Sequence, residues 1–229
     1  MEMTIEESSR DGDDVIGTAF LVGRDTWVTA AHVVQGCTAA YVRAGGEWRP
    51  APAIKIHGSA DLAVFEARQD DRTVALKLSD RDPAAGETAV HVGFARGEFT
   101  SLETRLSAAA DVRQLARPDA AVSQVWVWVW ALGAVGRGRL NGVSGGPQLN
   151  ASGAVQGVTI SYAGTPMRLT TAPVSSLRGF LPASVQYAST GGTQIEGRSA
   201  AHAAQLRANG SVTSVYCAST TSTRSLPRT

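Results

Sequence analysis

Between residues 15 and 132 the apolar residues come in short extended runs, and almost none keeps a helical period. "VIGTAFLVG", "TWVTAA", "AAYVRA", "PAIKIHG", "DLAVFEA" and "TVALKL" are β-branched or alternating, with Gly, Asp, Pro or Asn between them. Runs of this length and period read as strands, each too short to stand alone. A second set follows the break "SDRDPAAGE": "TAVHVGF", "FTSLETRLSAA", "SQVWVWVWAL", "GPQLN", "GAVQGVTISY" and "MRLTT". Two sets of about six strands, joined by a Pro/Gly-containing connector, predict an all-β chain of two antiparallel barrels or a sandwich. The one helix expected in this region is "PVSSLRGFL", short and near its end, opening with Pro173 at a favoured first helical position.

With 229 residues, 43% of them hydrophobic and 18% charged, the chain can build one sizeable domain or two packed halves. A net charge of +1 gives no electrostatic reason to expect nucleic acid or an acidic membrane surface as partner. The start, "MEMTIEESSRDGDD", is acidic and lacks the basic and apolar regions of a signal peptide; no apolar run reaches membrane length. A cytoplasmic protein is expected. Cys37 and Cys217 form neither a disulfide framework nor a metal spacing, so both are expected to be free thiols. After Pro182 the composition turns to Ser, Thr, Ala and Gly, with a short helix around "SAAHAAQLRA" and one strand, but few large apolar residues. Residues 183–229 therefore read as a linker and weakly ordered tail whose removal leaves the barrels folded, and residues 1–13 as an acidic extension. "IEGR" within the tail resembles a protease-cleavage tag, or is a coincidence of composition.

"VWVWVW" places Trp126, Trp128 and Trp130 on one strand face and Val125, Val127 and Val129 on the other. Two readings stay open: a central strand buried on both sides, or a tryptophan face that packs against another domain or a partner, since such a stripe is sticky when exposed.

Three segments carry chemistry. "TWVTAAHVV" puts His32 after two alanines that leave room around the imidazole. "GSADLAVFEA" puts Asp61 at the head of an apolar strand, a poor place for a carboxylate without a purpose. "NGVSGGP" sets Ser144 among glycines that permit close backbone approach or a positive φ. Acyl transfer needs a hydroxyl nucleophile, a base, an anion that fixes the base's tautomer, and donors for the oxyanion. Singly each segment is weak; together they supply all four. His57, His91 and His202 have no ligand-spaced neighbours and read as surface or packed histidines, so no metal or cofactor site is expected.

In the order His, Asp, Ser, the quoted segments resemble the trypsin-like (chymotrypsin-fold) serine peptidases, near the bacterial HtrA/Do-like branch. "GTAFLV", "WVTAAHVV", "DLAVFE", "GVSGGP" and "GAVQGVTISY" carry the likeness across about residues 15–182. It implies two six-stranded antiparallel β-barrels, about 14–80 and 86–182, with the active site between them. It also implies that Ser144 is the nucleophile, His32 the general base and Asp61 its orienter. The oxyanion hole falls to the N–H groups of Gly142 and Ser144, and strand pairing with the substrate to Ser161 and Tyr162. Primary specificity falls to Gly138, with Leu169 as a pocket wall, so a small or medium uncharged residue is expected before the scissile bond. Arg137 and Arg139, which flank Gly138, are the competing element, favouring Asp or Glu if either turned inward. Val143 stands where eukaryotic relatives carry an Asp that pairs with a new N-terminus, so activation by trimming is not expected. The family's usual secreted-type disulfides are missing, which fits a reducing compartment. The implied function is a serine endopeptidase acting on proteins or peptides, in some relatives beside a sensor or effector of a bacterial defence or signalling system. The alternatives are a catalytically silent barrel that binds proteins, with the tryptophan stripe and the C-terminal tail as its best support, and an esterase of the same fold.

Overall fold

The computed structural model describes residues 2–5, 15–114, 122–130, 140–164, 167–183, 185 and 199–219. Its strands in chain order are β1 (Glu2–Ile5), β2 (Val15–Leu21), β3 (Thr26–Thr29), β4 (Ala39–Ala44), β5 (Glu47–Pro50), β6 (Lys55–Ile56), β7 (Ala63–Glu66), β8 (Thr88–Ala95), β9 (Glu98–Gln114), β10 (Ser123–Trp130), β11 (Pro147–Leu149), β12 (Val155–Gly164), β13 (Met167–Pro173) and β14 (Val212–Ala218). Three helices accompany them: α1 (Ala31–Val34), α2 (Val174–Phe180) and α3 (Ser199–Ala208).

The strands form two sheets, as the alternating runs require. One has the order β1-β9-β10-β13-β12-β11-β8, and β8 pairs back onto β9, so six of its strands close into a barrel while β1 adds in parallel to the far end of β9. The other runs β5-β4-β14-β2-β3-β7-β6. The expected all-β, two-unit architecture is the one the chain adopts, with one strand more in each sheet. The expected helix is also present, although Pro173 caps it as the last residue of β13 and does not open its first turn.

"TVALKL" is not a strand. Residues 73–78 run extended between the sheets: Leu76 N–H donates to Leu21 O at 2.7 Å, and Leu78 makes a single parallel bridge to Val155. A segment that divides its hydrogen bonds between two sheets cannot join the ladder of either. Leu76 and Leu78 are nevertheless buried, so this connector docks the units on each other.

The larger correction concerns the C-terminal segment. β14 lies in the middle of the β5-β4-β14-β2-β3-β7-β6 sheet, the first sheet in that it holds β2 to β7, antiparallel to β2 (Val212↔Phe20 to Cys217↔Val15) and to β4 (Val215↔Val42 to Ala218↔Ala39). Val212, Val215, Tyr216 and Cys217 are buried, and its Ser and Thr are buried too. Thr213 Oγ1 donates to Arg43 O, and Ser211 Oγ, just before the strand, donates to Val74 O at 2.6 Å. Small polar side chains become core residues when each hydroxyl has an acceptor, which a count of large apolar residues misses. Cys217 is bonded to Cys37, with Cα atoms 5.3 Å apart, so neither thiol is free and the ground for expecting a reducing compartment falls away.

"VWVWVW" is a central strand. β10 lies between β9 and β13, with Val125 and Val127 in the larger apolar core. Trp128, fully buried, joins a second cluster with Leu102, Leu106, Leu140, Val143 and Leu169, and Trp126 packs on its edge.

Candidate active site

His32 sits on α1, one helical turn directly after β3, and not on the end of the strand itself. Asp61, 5% exposed, lies in the turn that leads into β7. Pairing of β3 with β7 (Thr29↔Ala63) brings the two residues together. Asp61 grips His32 twice: Oδ1 accepts the His32 backbone N–H at 2.8 Å, and Oδ2 lies 2.5 Å from Nδ1. One carboxylate oxygen fixes the helix start and the other fixes the ring, leaving Nε2 as the nitrogen turned from the carboxylate.

A residue without an assigned role in the sequence supports this pair. His57 Nδ1 accepts the backbone N–H groups of Ser59 (3.1 Å) and Ala60 (2.9 Å), and the His57 N–H donates to Leu62 O at 2.9 Å. Two N–H donors on one nitrogen require it to be the unprotonated one. The ring stacks edge-on against Phe180 of α2, with centroids 5.0 Å apart. His57 thus clamps the turn that presents Asp61. Its only sequence signal is its place four residues ahead of the carboxylate.

Ser144, half-buried, comes from the other sheet, on the turn ahead of β11. Gly142 (φ +103°) and Gly145 (φ +88°) shape that turn in a backbone region L side chains rarely adopt. Added Cβ atoms would run into Phe94 O at Gly142, and into Thr18 O and Thr29 Oγ1 at Gly145. Residue 18 ties the turn to the first sheet: its N–H donates to Ser144 O at 2.9 Å and its Oγ1 to Gly142 O at 2.7 Å. A Cβ on Gly17 would meet both Val33, next to His32, and Ser144 O. β2 is therefore the surface against which the His32 helix and the Ser144 turn both pack.

The donors within the turn separate into two groups. Val143, Gly145 and Gly146 N–H donate to Leu140 O, Thr159 O and Val143 O respectively. Gly142 N–H and Ser144 N–H have no acceptor among the described residues. Val143, 3% exposed among Leu140, Leu169 and Trp128, anchors the turn by apolar burial where an acidic residue would need an ion pair. Behind it Thr159 N–H donates to Gly146 O at 2.8 Å, and Thr159 Oγ1 meets His91 Nδ1 at 3.0 Å. His91 Nε2 meets Thr104 Oγ1 at 3.0 Å, and its ring stands edge-on to Trp128. Complete burial lowers the His91 pKa to about 3, so this imidazole is a neutral structural member, as a packed histidine should be.

Ser161 and Tyr162 pair with Thr170 and Leu169 of β13. On the opposite side β11 covers β12 only from Val155 to Val158, so beyond that stretch the edge has no strand partner among the described residues. Tyr162 Oη donates to Asn141 Oδ1 at 2.7 Å, linking this edge to the Ser144 turn. Leu169 is 2% exposed in the cluster that holds Val143. Arg137, Gly138 and Arg139 lie outside the described residues. No group of three His, Cys, Asp or Glu suited to a metal ion occurs among the described residues, and no described helix is long and apolar enough to cross a membrane.

Three comparisons bear on this geometry. No curated protein sequence matches the chain. Among solved structures it is similar to the active form of the Rv3671c protease from M. tuberculosis, with 19% identity, a TM-score of 0.63, and 85% of this chain and 94% of that one covered. It is also similar to the MamO protease domain from Magnetospirillum magneticum, at 17%, 0.58, and 74% and 95% covered. A third likeness is to the HtrA-type protease AlgW with a decapeptide, at 18%, 0.55, and 71% and 50% covered. At these identities the likenesses speak for the fold. Residues 17–158 match the family model of the trypsin-like peptidase domain, and with that match over more than half its length the chain belongs to the trypsin-like peptidase family.

Proposed function

We propose that the chain is a serine endopeptidase in which His32, Asp61 and Ser144 act as a triad. The observation that carries this reading is the double grip of Asp61 on His32, at Nδ1 and at the backbone N–H. A carboxylate on Nδ1–H holds the imidazole in the tautomer whose Nε2 accepts a proton, and stabilises the imidazolium that follows. Ser144 Oγ adds to the substrate carbonyl carbon as His32 Nε2 takes its proton. The C=O electron pair moves onto oxygen, where the unpaired N–H groups of Gly142 and Ser144 receive it. Collapse breaks the C–N bond, the amine leaves with the proton from His32, and water releases the acyl group by the same steps in reverse order. The open edge of β12 at Ser161 and Tyr162 is where the substrate backbone pairs as an added strand. The preference for a small or medium uncharged residue before the scissile bond rests on Gly138, which supplies no charge; Leu169 lies buried behind the nucleophile turn with Val143 and Leu140.

The silent binding module loses part of its support, because Trp128 is fully buried in the protein's own core and Trp126 packs on the edge of that cluster. A peptide-library cleavage profile tests the reading. The expected result is cleavage after Ala, Val or Leu by the wild type and none by Ser144→Ala. Preference for Arg or Lys would overturn the specificity, and equal cleavage by Ser144→Ala the nucleophile.

A further inference from the structure

Away from the Ser144 turn, the C-terminal segment completes a second concavity. A cavity of about 370 Å³ opens between the β4–β5 hairpin, the turn at 70–73, the end of α3 and the start of β14, with Phe94 of β8 as a wall. That volume falls in the range of small-molecule sites. Three of its lining residues are arginines from three separate elements, Arg43, Arg72 and Arg207, against one carboxylate, Asp70.

None of the three guanidinium groups has an ion-pair partner among the described residues. Asp70 is engaged locally, its Oδ1 accepting the Arg72 backbone N–H at 3.0 Å. Arg207 is steadied without being neutralised: its guanidinium lies 5.8 Å from the Phe99 ring centroid, and Phe99 meets Phe94 edge-on at 5.2 Å. At the mouth, Gly46 (φ +85°) has open space where a side chain would stand, so its backbone is within reach of a ligand. Gathering three like charges around one concavity is unfavourable until an anion fills it, and planar guanidinium forks match phosphate oxygens two at a time.

We propose that this cavity binds a phosphate-bearing small molecule through Arg43, Arg72 and Arg207. The site does not depend on the peptidase reading. It does depend on β14 and α3, since without them Arg207 and one whole wall are missing.

Calorimetric titration of the full, disulfide-bonded chain with inorganic pyrophosphate at low ionic strength tests the proposal. The expected result is saturable binding of one equivalent, weakened at least tenfold in Arg43→Gln and in Arg207→Gln. It should be unchanged in Arg81→Gln, a paired surface arginine outside the cavity. Arg207→Lys, which keeps the charge and loses the fork, should fall between Arg207→Gln and the wild type, and guards against a fold defect at that position; Arg43→Lys does the same for Arg43→Gln. Absence of saturable binding would overturn the site. So would equal binding by Arg207→Gln and Arg81→Gln, or heat that persists when chloride replaces pyrophosphate at matched ionic strength and does not depend on Arg43 or Arg207, the pattern of an adventitious ion only.

Discussion

Asp61 holds two hydrogens at once, and its replacement separates its roles. Asp61→Asn keeps shape and volume, but an amide cannot accept from both the His32 backbone and Nδ1 without presenting N–H to one of them. The expected loss is on the order of 10⁴ in kcat with the fold retained, read by initial rates beside circular dichroism. Gly142→Ala tests the donor geometry. An alanine at φ +103° is strained by roughly 1–3 kcal/mol, and its methyl runs into Phe94 O, so the turn must shift and carry the Gly142 N–H with it. The expected outcome is a loss of kcat with little change in KM. His91 gives a pH signature. Its pKa is about 3 when folded and about 6.5 when unfolded. Between those values the unfolded chain binds the extra proton, so the stability His91 permits is present above pH 6.5 and is lost as pH falls toward 3. Well below pH 6.5 the slope is about 1.4 kcal/mol per unit. Urea midpoints at pH 7 and pH 5 should fall further for the wild type than for His91→Gln.

β14 supports the site indirectly. It fills the first sheet between β2, against which the Ser144 turn packs, and β4; its Cys217 is bonded to Cys37, just beyond the His32 helix. Deleting residues 199–229 should abolish cooperative thermal unfolding, because β2 and β4 would lose a shared neighbour and leave buried edges open. The disulfide spans 180 residues, and Cys37→Ser with Cys217→Ser should cost about 2–5 kcal/mol by denaturant unfolding. Retention of a sharp transition in the truncated chain would show that the sheet closes without β14. Neither feature was legible in the sequence. Val212–Ala218 reads as one weak Ser/Thr-containing strand, and its partners in β2 and β4 lie at the other end of the chain, where no local pattern announces them. The connector failed for the opposite reason: Leu76 and Leu78 alternate like a strand, but their hydrogen bonds go to two different sheets. By contrast "AAHVV", "ADLAVFE" and "GVSGGP" are local signals whose order alone singles them out, so the candidate site was legible while its supports, His57 and the His91–Thr159 contact, were not.

At the scale of the molecule the proposed base and nucleophile, His32 and Ser144, are carried by different sheets. His32 and Asp61 are fixed by the β3–β7 pairing, Ser144 by a turn seated on the second barrel through Val143, and the His32 helix and the Ser144 turn both pack against β2. The reading requires the three residues to act as one unit in the docked chain. Labelling with a fluorophosphonate probe, located by mass spectrometry, measures this directly, because phosphonylation needs an activated hydroxyl next to an oxyanion site. The account predicts one adduct per chain, at Ser144, absent in Ser144→Ala and slowed by several orders of magnitude in His32→Ala. An unlabelled Ser144 in the folded wild type, or an adduct that forms equally fast in His32→Ala, would contradict it.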